Sequence, residues 1–168
     1  MGDHRRFHIF AEFIHYSFPD ASTVADVGGG RGILSFLLNE FVKHSTIIDP
    51  RPATFPRWIH RRLRKKARRT GTVSIIERVH QNVESVDLSR FDLTVALHPD
   101  EATEPTLRYA IKHNINLAIV PCCVFPLDGY KRSVPEWMNY LLSIAPDVKK
   151  HQLPFSGANT VLWRTSNR

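Results

Sequence analysis

Hydrophobic and polar positions along the chain change period several times, and each change marks an element. Phe7, Phe10, Ala11, Ile14 and Phe18 fall at helical spacing with His8, Glu12 and His15 between them, so Arg6 to Phe18 reads as a helix ended by Pro19-Asp20. The run Thr23 to Val27 predicts a buried strand. Five residues rich in glycine follow, and then Ile33-Leu34-Ser35-Phe36-Leu37-Leu38 opens a helix reaching about Phe41. A second strand, Ser45 to Ile48, ends in Asp49, and Asp49-Pro50-Arg51-Pro52 breaks the chain. Phe55, Ile59, Leu63 and Ala67 then recur every four residues beside Trp58, one apolar face of a helix opened by Pro56 and closed by Gly71.

A third strand is predicted at Thr72 to Ile76 or slightly beyond, and a fourth at Phe91 to Leu97, before His98-Pro99-Asp100. Glu104-Pro105 starts a helix to about His113, and Asn116 to Val120 forms a fifth strand ahead of Pro121-Cys122-Cys123. After a looser stretch from Phe125 to Pro135, a helix carries Trp137, Tyr140, Leu141 and Ile144. Val148 to Leu153 and Thr160 to Arg164, around Ser156-Gly157, read as an antiparallel hairpin. Strand and helix alternate through five strands. That order predicts an α/β fold with a mostly parallel sheet and helices on both faces.

Composition narrows the class. The 168 residues are 42% hydrophobic and 23% charged, the profile of one globular domain spanning 1–168, and no internal repeat or linker divides it. No stretch approaches the roughly 20 apolar residues of a membrane helix. Met1 to Arg6 has no apolar signal core, and the two cysteines are neighbours that cannot staple a fold, so reduced thiols in a cytoplasmic or nuclear setting are expected. The formal charge of +7 is concentrated: Arg57, Arg61, Arg62, Arg64, Lys65, Lys66, Arg68 and Arg69 lie on one predicted helix without an acid, and the remainder holds 15 basic against 16 acidic residues. His4, His8 and His15 have no further ligand nearby at metal spacing, and no metal site is expected.

The candidate chemistry begins at the glycine turn. Asp26-Val27-Gly28-Gly29-Gly30-Arg31-Gly32 is D-x-G-x-G-x-G; the dinucleotide pattern G-x-G-x-x-G fails because Ile33 stands where its third glycine belongs. Glycines there permit positive φ and close approach of a ligand, and the turn empties into a helix N-terminus that favours an anionic group. Asp49, ending the second strand, can accept hydrogen bonds from two ribose hydroxyls.

Together these features resemble motifs I and II of the class I S-adenosyl-L-methionine (SAM) methyltransferases. The resemblance implies a Rossmann-like sheet of seven strands, with the predicted hairpin supplying the last two. It implies SAM as cofactor, S-adenosyl-L-homocysteine as product, and a pocket in which the glycine turn holds the amino-acid end and Asp49 the ribose.

In open α/β sheets the ligand lies beyond the carboxyl ends of the strands. That rule selects Asp26, Val27, Gly28, Gly29, Gly30 and Gly32 from the first strand, Asp49 and Pro50 from the second, and Leu97 from the fourth. Gln81 or Asn82, after the third, is assigned to the adenine edge, against a plain turn role, because an amide can both donate and accept.

His98 or Asp100 can take a proton from an acceptor group, or they serve packing and capping alone; Cys122 and Cys123 have no adjacent cation to favour a thiolate. Leu97-His98-Pro99-Asp100-Glu101 and Val120-Pro121-Cys122-Cys123 are similar to motifs of the methyltransferase branch that contains tRNA 2′-O-methyltransferases and related eukaryotic proteins. The chain departs from it where Pro99-Asp100-Glu101 replaces Cys-Gly and Val124-Phe125 replaces His-His.

The basic helix reads as a phosphate-binding face, or as a solvated face with an acidic partner subunit. The functional expectation is methylation of RNA by SAM. Its rivals are a protein methyltransferase and a non-catalytic RNA-binding or scaffold subunit.

Overall fold

A computed structural model describes residues 3–41, 43–73 and 75–166. In chain order it contains α1 (Arg6–Ser17), β1 (Thr23–Val27), α2 (Ile33–Glu40), β2 (His44–Ile48), α3 (Arg57–Thr70), β3 (Glu77–Val79), β4 (Leu93–Leu97), α4 (Thr103–Lys112), β5 (Leu117–Val120), α5 (Val134–Ile144), β6 (Lys149–Gln152) and β7 (Thr160–Arg164). The strands form one seven-stranded sheet in the order β3-β2-β1-β4-β5-β7-β6. β1 to β5 are parallel; β7 runs antiparallel to β5, and β6 antiparallel to β7. This is the class I methyltransferase fold, with the predicted hairpin as its last two strands.

The alternation of side chains across the sheet builds two cores. Val24, Leu93, Val95 and Val120 face α1, α2 and α3, where they meet Phe10, Ile14, Leu34, Leu38 and Ile59. Ala25, Val27, Ala96, Leu117 and Ile119 face the opposite layer, where α4 and α5 contribute Leu107, Ala110, Trp137 and Leu141. The central strands are buried on both faces, so apolar residues stand at successive positions, as in Val24-Ala25, Val95-Ala96-Leu97 and Leu117-Ala118-Ile119-Val120, and do not alternate with exposed ones. The chain leaves β1 for β2 on one side and returns to β4 on the other, so the sheet reverses its winding between β1 and β4 and opens a crevice at their carboxyl ends.

Helix ends follow the local chemistry. Gly71 closes α3 in the left-handed region at φ 69, its N–H donating to the Ala67 carbonyl at 2.9 Å. Ser133 and Glu136 form a reciprocal capping box at the start of α5, a device worth about 1 kcal/mol. Pro135 falls within the first turn of that helix, where its missing N–H costs nothing.

One element is displaced from its sequence prediction. The third strand is Glu77–Val79, not Thr72–Ile76, and Ser74 lies outside the described residues. Val73 and Ile75 are 72% and 76% exposed, and of this β-branched run Ile76 packs against the core. The strand forms only where the chain comes alongside β2, with Thr46 opposite Glu77 and Ile48 opposite Val79. Pairing geometry overrides β propensity at this sheet edge.

Candidate functional site

The loop joining β1 to α2 takes its shape from three positive φ angles, 66° at Gly28, 48° at Gly30 and 72° at Gly32. At Gly28 the constraint is steric as well. A Cβ there would stand 3.0 Å from both Cα and Cβ of Pro99, so the loop and the end of β4 approach as closely as backbone allows. The Gly28 N–H donates to the Ile48 carbonyl at 2.8 Å, fastening the loop to the end of β2.

Asp26 lies beneath this loop. Successive β1 side chains alternate between the two cores, so Val27 points to the crevice layer and Asp26 toward α2. The Asp26 carboxylate accepts the Ser35 hydroxyl at 2.6 Å, and Ser35 shares a second hydrogen bond with the Ser45 hydroxyl at 2.9 Å. Burial pushes the Asp26 carboxyl up to about 7, against the pull of the Ser35 hydrogen bond.

Asp49 stands at the head of the crevice, fully buried yet ionised. Burial raises its carboxyl, but the Arg51 side chain, the Arg51 N–H and the Gly30 N–H outweigh that effect and hold it below the ordinary carboxylate range. The Arg51 N–H donates to Oδ1 at 3.0 Å and the Gly30 N–H to Oδ2 at 2.9 Å. The Arg51 guanidinium adds one bond to each oxygen, at 3.2 and 3.4 Å.

Around Asp49 lies a cavity of about 400 Å³ walled by Val27, Gly28, Ile48, Pro50, Arg51, Asn82, Val83, Glu84, Pro99, Glu101 and Ala102. That size is within the range of about 300–1,000 Å³ for small-molecule sites.

These residues fit SAM. Each carboxylate oxygen offers two acceptor sites. Backbone N–H groups hold one site on each Asp49 oxygen, and the exposed Arg51 side chain covers the other two. A vicinal diol needs those same two sites, and a guanidinium on a flexible, 59% exposed stem can yield them. Val83 and Ala102 offer apolar contact to a purine, and the Asn82 amide carries both donor and acceptor. Gly28 lines the cavity wall and packs directly against Pro99, with no room between them for a side chain.

The crevice therefore brings together Val27, Gly28, Asp49, Pro50 and Asn82 of the sequence-predicted set. Gly29, Gly30 and Gly32 shape the loop without lining the cavity; Gly32 packs against Ile47 and Phe55. Gln81 is exposed beside Asn82 and off the wall, and Leu97 belongs to the core. Arg51, Val83, Glu84 and Ala102 were not legible in advance, nor was Arg78, whose guanidinium reaches across from β3 to the Gly30 carbonyl at 2.7 Å. Asp49-x-Arg51 offered only a hint, an acid and a cation two residues apart.

His98 and Asp100 follow β4 in the left-handed region, at φ 56 and 50. Such angles cost a non-glycine residue about 1–3 kcal/mol each and cluster at functional sites. The His98 ring shares a hydrogen bond with the Ala158 carbonyl at 2.8 Å through Nε2, which must be the protonated nitrogen because a carbonyl only accepts. Burial holds His98 below the usual imidazole range, against the opposing effect of that carbonyl. Asp100 instead accepts the Cys122 thiol at 3.1 Å. Burial and this contact push the Cys122 thiol up to about 12, which removes it as a nucleophile at neutral pH.

The eight cations of α3 surround a helix whose one fully buried residue is Ile59. Of these eight cations, among the described residues only Lys66 has an ion-pair partner, Glu40, at 3.3 Å. Two surface grooves adjoin the helix, one walled by Arg57, His60, Arg61 and Arg64 and the other by Arg62, Leu63, Lys65, Lys66, Arg68 and Arg69 with Phe36 and Glu40 of α2.

Sheet order, glycine loop and strand-two carboxylate define the class: a SAM-dependent methyltransferase. The chain belongs to the methyltransferase domain family, whose model matches residues 5–128. No curated protein sequence matches the chain at a significant level. Among solved structures it is similar to a methyltransferase from Geobacter sulfurreducens, at 14% identity and TM-score 0.60, covering 98% of this chain and 80% of that one. A Burkholderia thailandensis 1,6-didemethyltoxoflavin N1-methyltransferase with bound S-adenosylhomocysteine aligns at 21% identity and TM-score 0.56, covering 96% and 77%. The ribosomal protein L11 methylase of Lactobacillus delbrueckii subsp. bulgaricus aligns at 17% identity and TM-score 0.57, covering 100% and 81%. The chain spans 56% of the length of the methyltransferase SibL, which it matches at 14% identity and TM-score 0.56. No helix of the described residues is long and apolar enough to cross a membrane.

Proposed function

We propose that the chain methylates RNA, with α3 holding the phosphate backbone and the crevice around Asp49 holding SAM. When bound, the cofactor supplies a methyl group already activated by its sulfonium centre. What remains for the protein is to orient two molecules and to accept one proton, and positioning alone contributes several kcal/mol. Asp49 takes the ribose hydroxyls, the Asn82 amide faces the adenine edge, and the glycine loop fits the amino-acid end. Gln81 lies beside Asn82 but off the cavity wall and is left out of this assignment.

His98 is the candidate base. Its Nε2–H is committed to Ala158, so Nδ1 is the accepting nitrogen, and a depressed pKa keeps the ring neutral at pH 7.

One observation carries the choice of RNA: eight cations on a single helix, one of them neutralised by a protein acid. Such a helix repels itself unless an anion covers it, and a phosphate backbone supplies charge at matching density. The test is binding of a structured RNA across a salt series, comparing the natural chain with a variant carrying Arg61→Glu, Arg64→Glu and Lys65→Glu. Affinity should fall steeply with salt for the natural chain, and the variant should lose most of both affinity and slope. Equal retention by the two proteins overturns the assignment, and retention of an acidic protein in place of RNA would move the substrate class to protein.

A further inference from the structure

β4 and β5 run side by side with Leu97 opposite Val120, so the residues that follow the two strands leave the sheet together. Asp100 comes from the first of these segments, Cys122 and Cys123 from the second. Cys122 donates its thiol to Asp100 Oδ1 at 3.1 Å. One donor atom from each residue falls within 4.8 Å of the other two. Two sulfurs bound to one zinc ion at about 2.3 Å can lie no more than about 4.6 Å apart. The three donors therefore lie at about the separation that a common ion requires.

Two further observations support a ligand here. Asp100 turns its carboxylate to the thiols from a backbone at φ 50, a conformation an aspartate adopts only at a cost in energy. Cys122 is half-buried and Cys123 exposed, so one ligand is anchored and an entry path remains open.

The donor set selects the ion. Two thiols disfavour calcium and magnesium, which take oxygen ligands, and one carboxylate beside two sulfurs suits a borderline-soft divalent cation. We propose that Asp100, Cys122 and Cys123 bind one zinc-class cation, with a fourth position left open beside the cofactor crevice. Three protein ligands and a free position form the pattern in which water or a substrate atom completes the tetrahedron. Pro99 and Glu101, the neighbours of Asp100 on either side, both line the crevice, so the open position adjoins the place where a methyl acceptor must enter. This site does not depend on the acceptor being RNA.

The test uses the whole chain, reduced and stripped of metal, titrated with Zn²⁺ against a chromophoric chelator and separately with Co²⁺. One equivalent should bind, and Co²⁺ should give thiolate charge-transfer absorption in the near ultraviolet. Cys122→Ser and Cys123→Ser should each weaken binding at least about tenfold and remove part of that absorption, whereas Asp100→Asn should weaken it by a similar factor while the absorption persists. Protection of both thiols from alkylation by Zn²⁺ provides a second readout, and circular dichroism verifies that each variant is folded. Absence of the Co²⁺ absorption, or equal Zn²⁺ affinity in the natural chain and a Cys122→Ser/Cys123→Ser double variant, overturns the site.

Discussion

The guanidinium of Arg51 lies on the carboxylate of Asp49, one bond to each oxygen, across the two acceptor sites that a ribose diol requires. Under the proposed assignment Arg51 is a stand-in for the ligand, and the two compete. The pair is mostly solvent-screened on the arginine side, so its contribution is small, about 0.5–1 kcal/mol. Arg51→Ala should leave S-adenosylhomocysteine binding unchanged or up to about fivefold tighter by calorimetry, because the backbone N–H bonds that orient Asp49 survive the substitution. Weakening by more than about tenfold would mean that Arg51 holds the cofactor and does not compete with it.

Asp26 gives a pH signature. Its carboxyl is raised from 3.8 to about 7 in the folded chain, so between those values the folded state binds a proton that the unfolded state has lost. The contribution of Asp26 to stability is complete below about pH 4 and declines as pH rises toward 7, reaching a cost on the order of 4 kcal/mol above it. Asp26→Asn keeps an acceptor for the Ser35 hydroxyl and removes the titration. Denaturant unfolding of both proteins from pH 4 to 8 should show the variant gaining on the natural chain as pH increases. Parallel curves would contradict the assigned burial.

Gly28→Ala places a Cβ 3.0 Å from the Pro99 backbone at a φ of 66°. Strain of about 1–3 kcal/mol is expected from the backbone angle alone. The measured outcome should be a lower midpoint in urea together with weaker cofactor binding, since the crevice wall must move. A variant as stable as the natural chain and binding equally well would show that the loop is slack.

His98 should show its effect at acid pH. Its folded pKa is depressed, so its contribution to stability is present above the ordinary imidazole value of about 6.5 and is lost as pH falls below it. Methyl transfer should fall over the same window. His98→Asn, which retains a donor for the Ala158 carbonyl, should abolish that pH dependence while binding S-adenosylhomocysteine unchanged. An unaltered pH–rate profile would remove His98 as the base.

The division between what the sequence discloses and what it hides has a physical basis. The turn from Asp26 to Gly32 and the place of Asp49 just past β2 were legible because they rest on main-chain demands, positive φ and a strand end, that few residue types meet. The boundaries of α3 were legible for the same reason: Pro56 and Gly71 each fit one position in a helix. The orientation of Asp26 follows from strand alternation only once the cores are known, and the pattern alone admitted either face. Arg51, Val83 and Glu84 reach the crevice through turns whose course depends on packing, and Val73 and Ile75 carried a strand signal that the sheet edge does not use. The meeting of Asp100 with Cys122 needed the pairing of β4 with β5, which no local pattern records.

The central claim is that Asp49 grips the ribose of SAM. Titration calorimetry of S-adenosylhomocysteine into the natural chain and into Asp49→Asn tests it most directly. The natural chain should bind saturably, and the variant should lose about 1.5–3 kcal/mol, or roughly ten- to a hundredfold in affinity. No heat from the natural chain at ligand concentrations of hundreds of micromolar, or equal affinity in the two proteins, would contradict it.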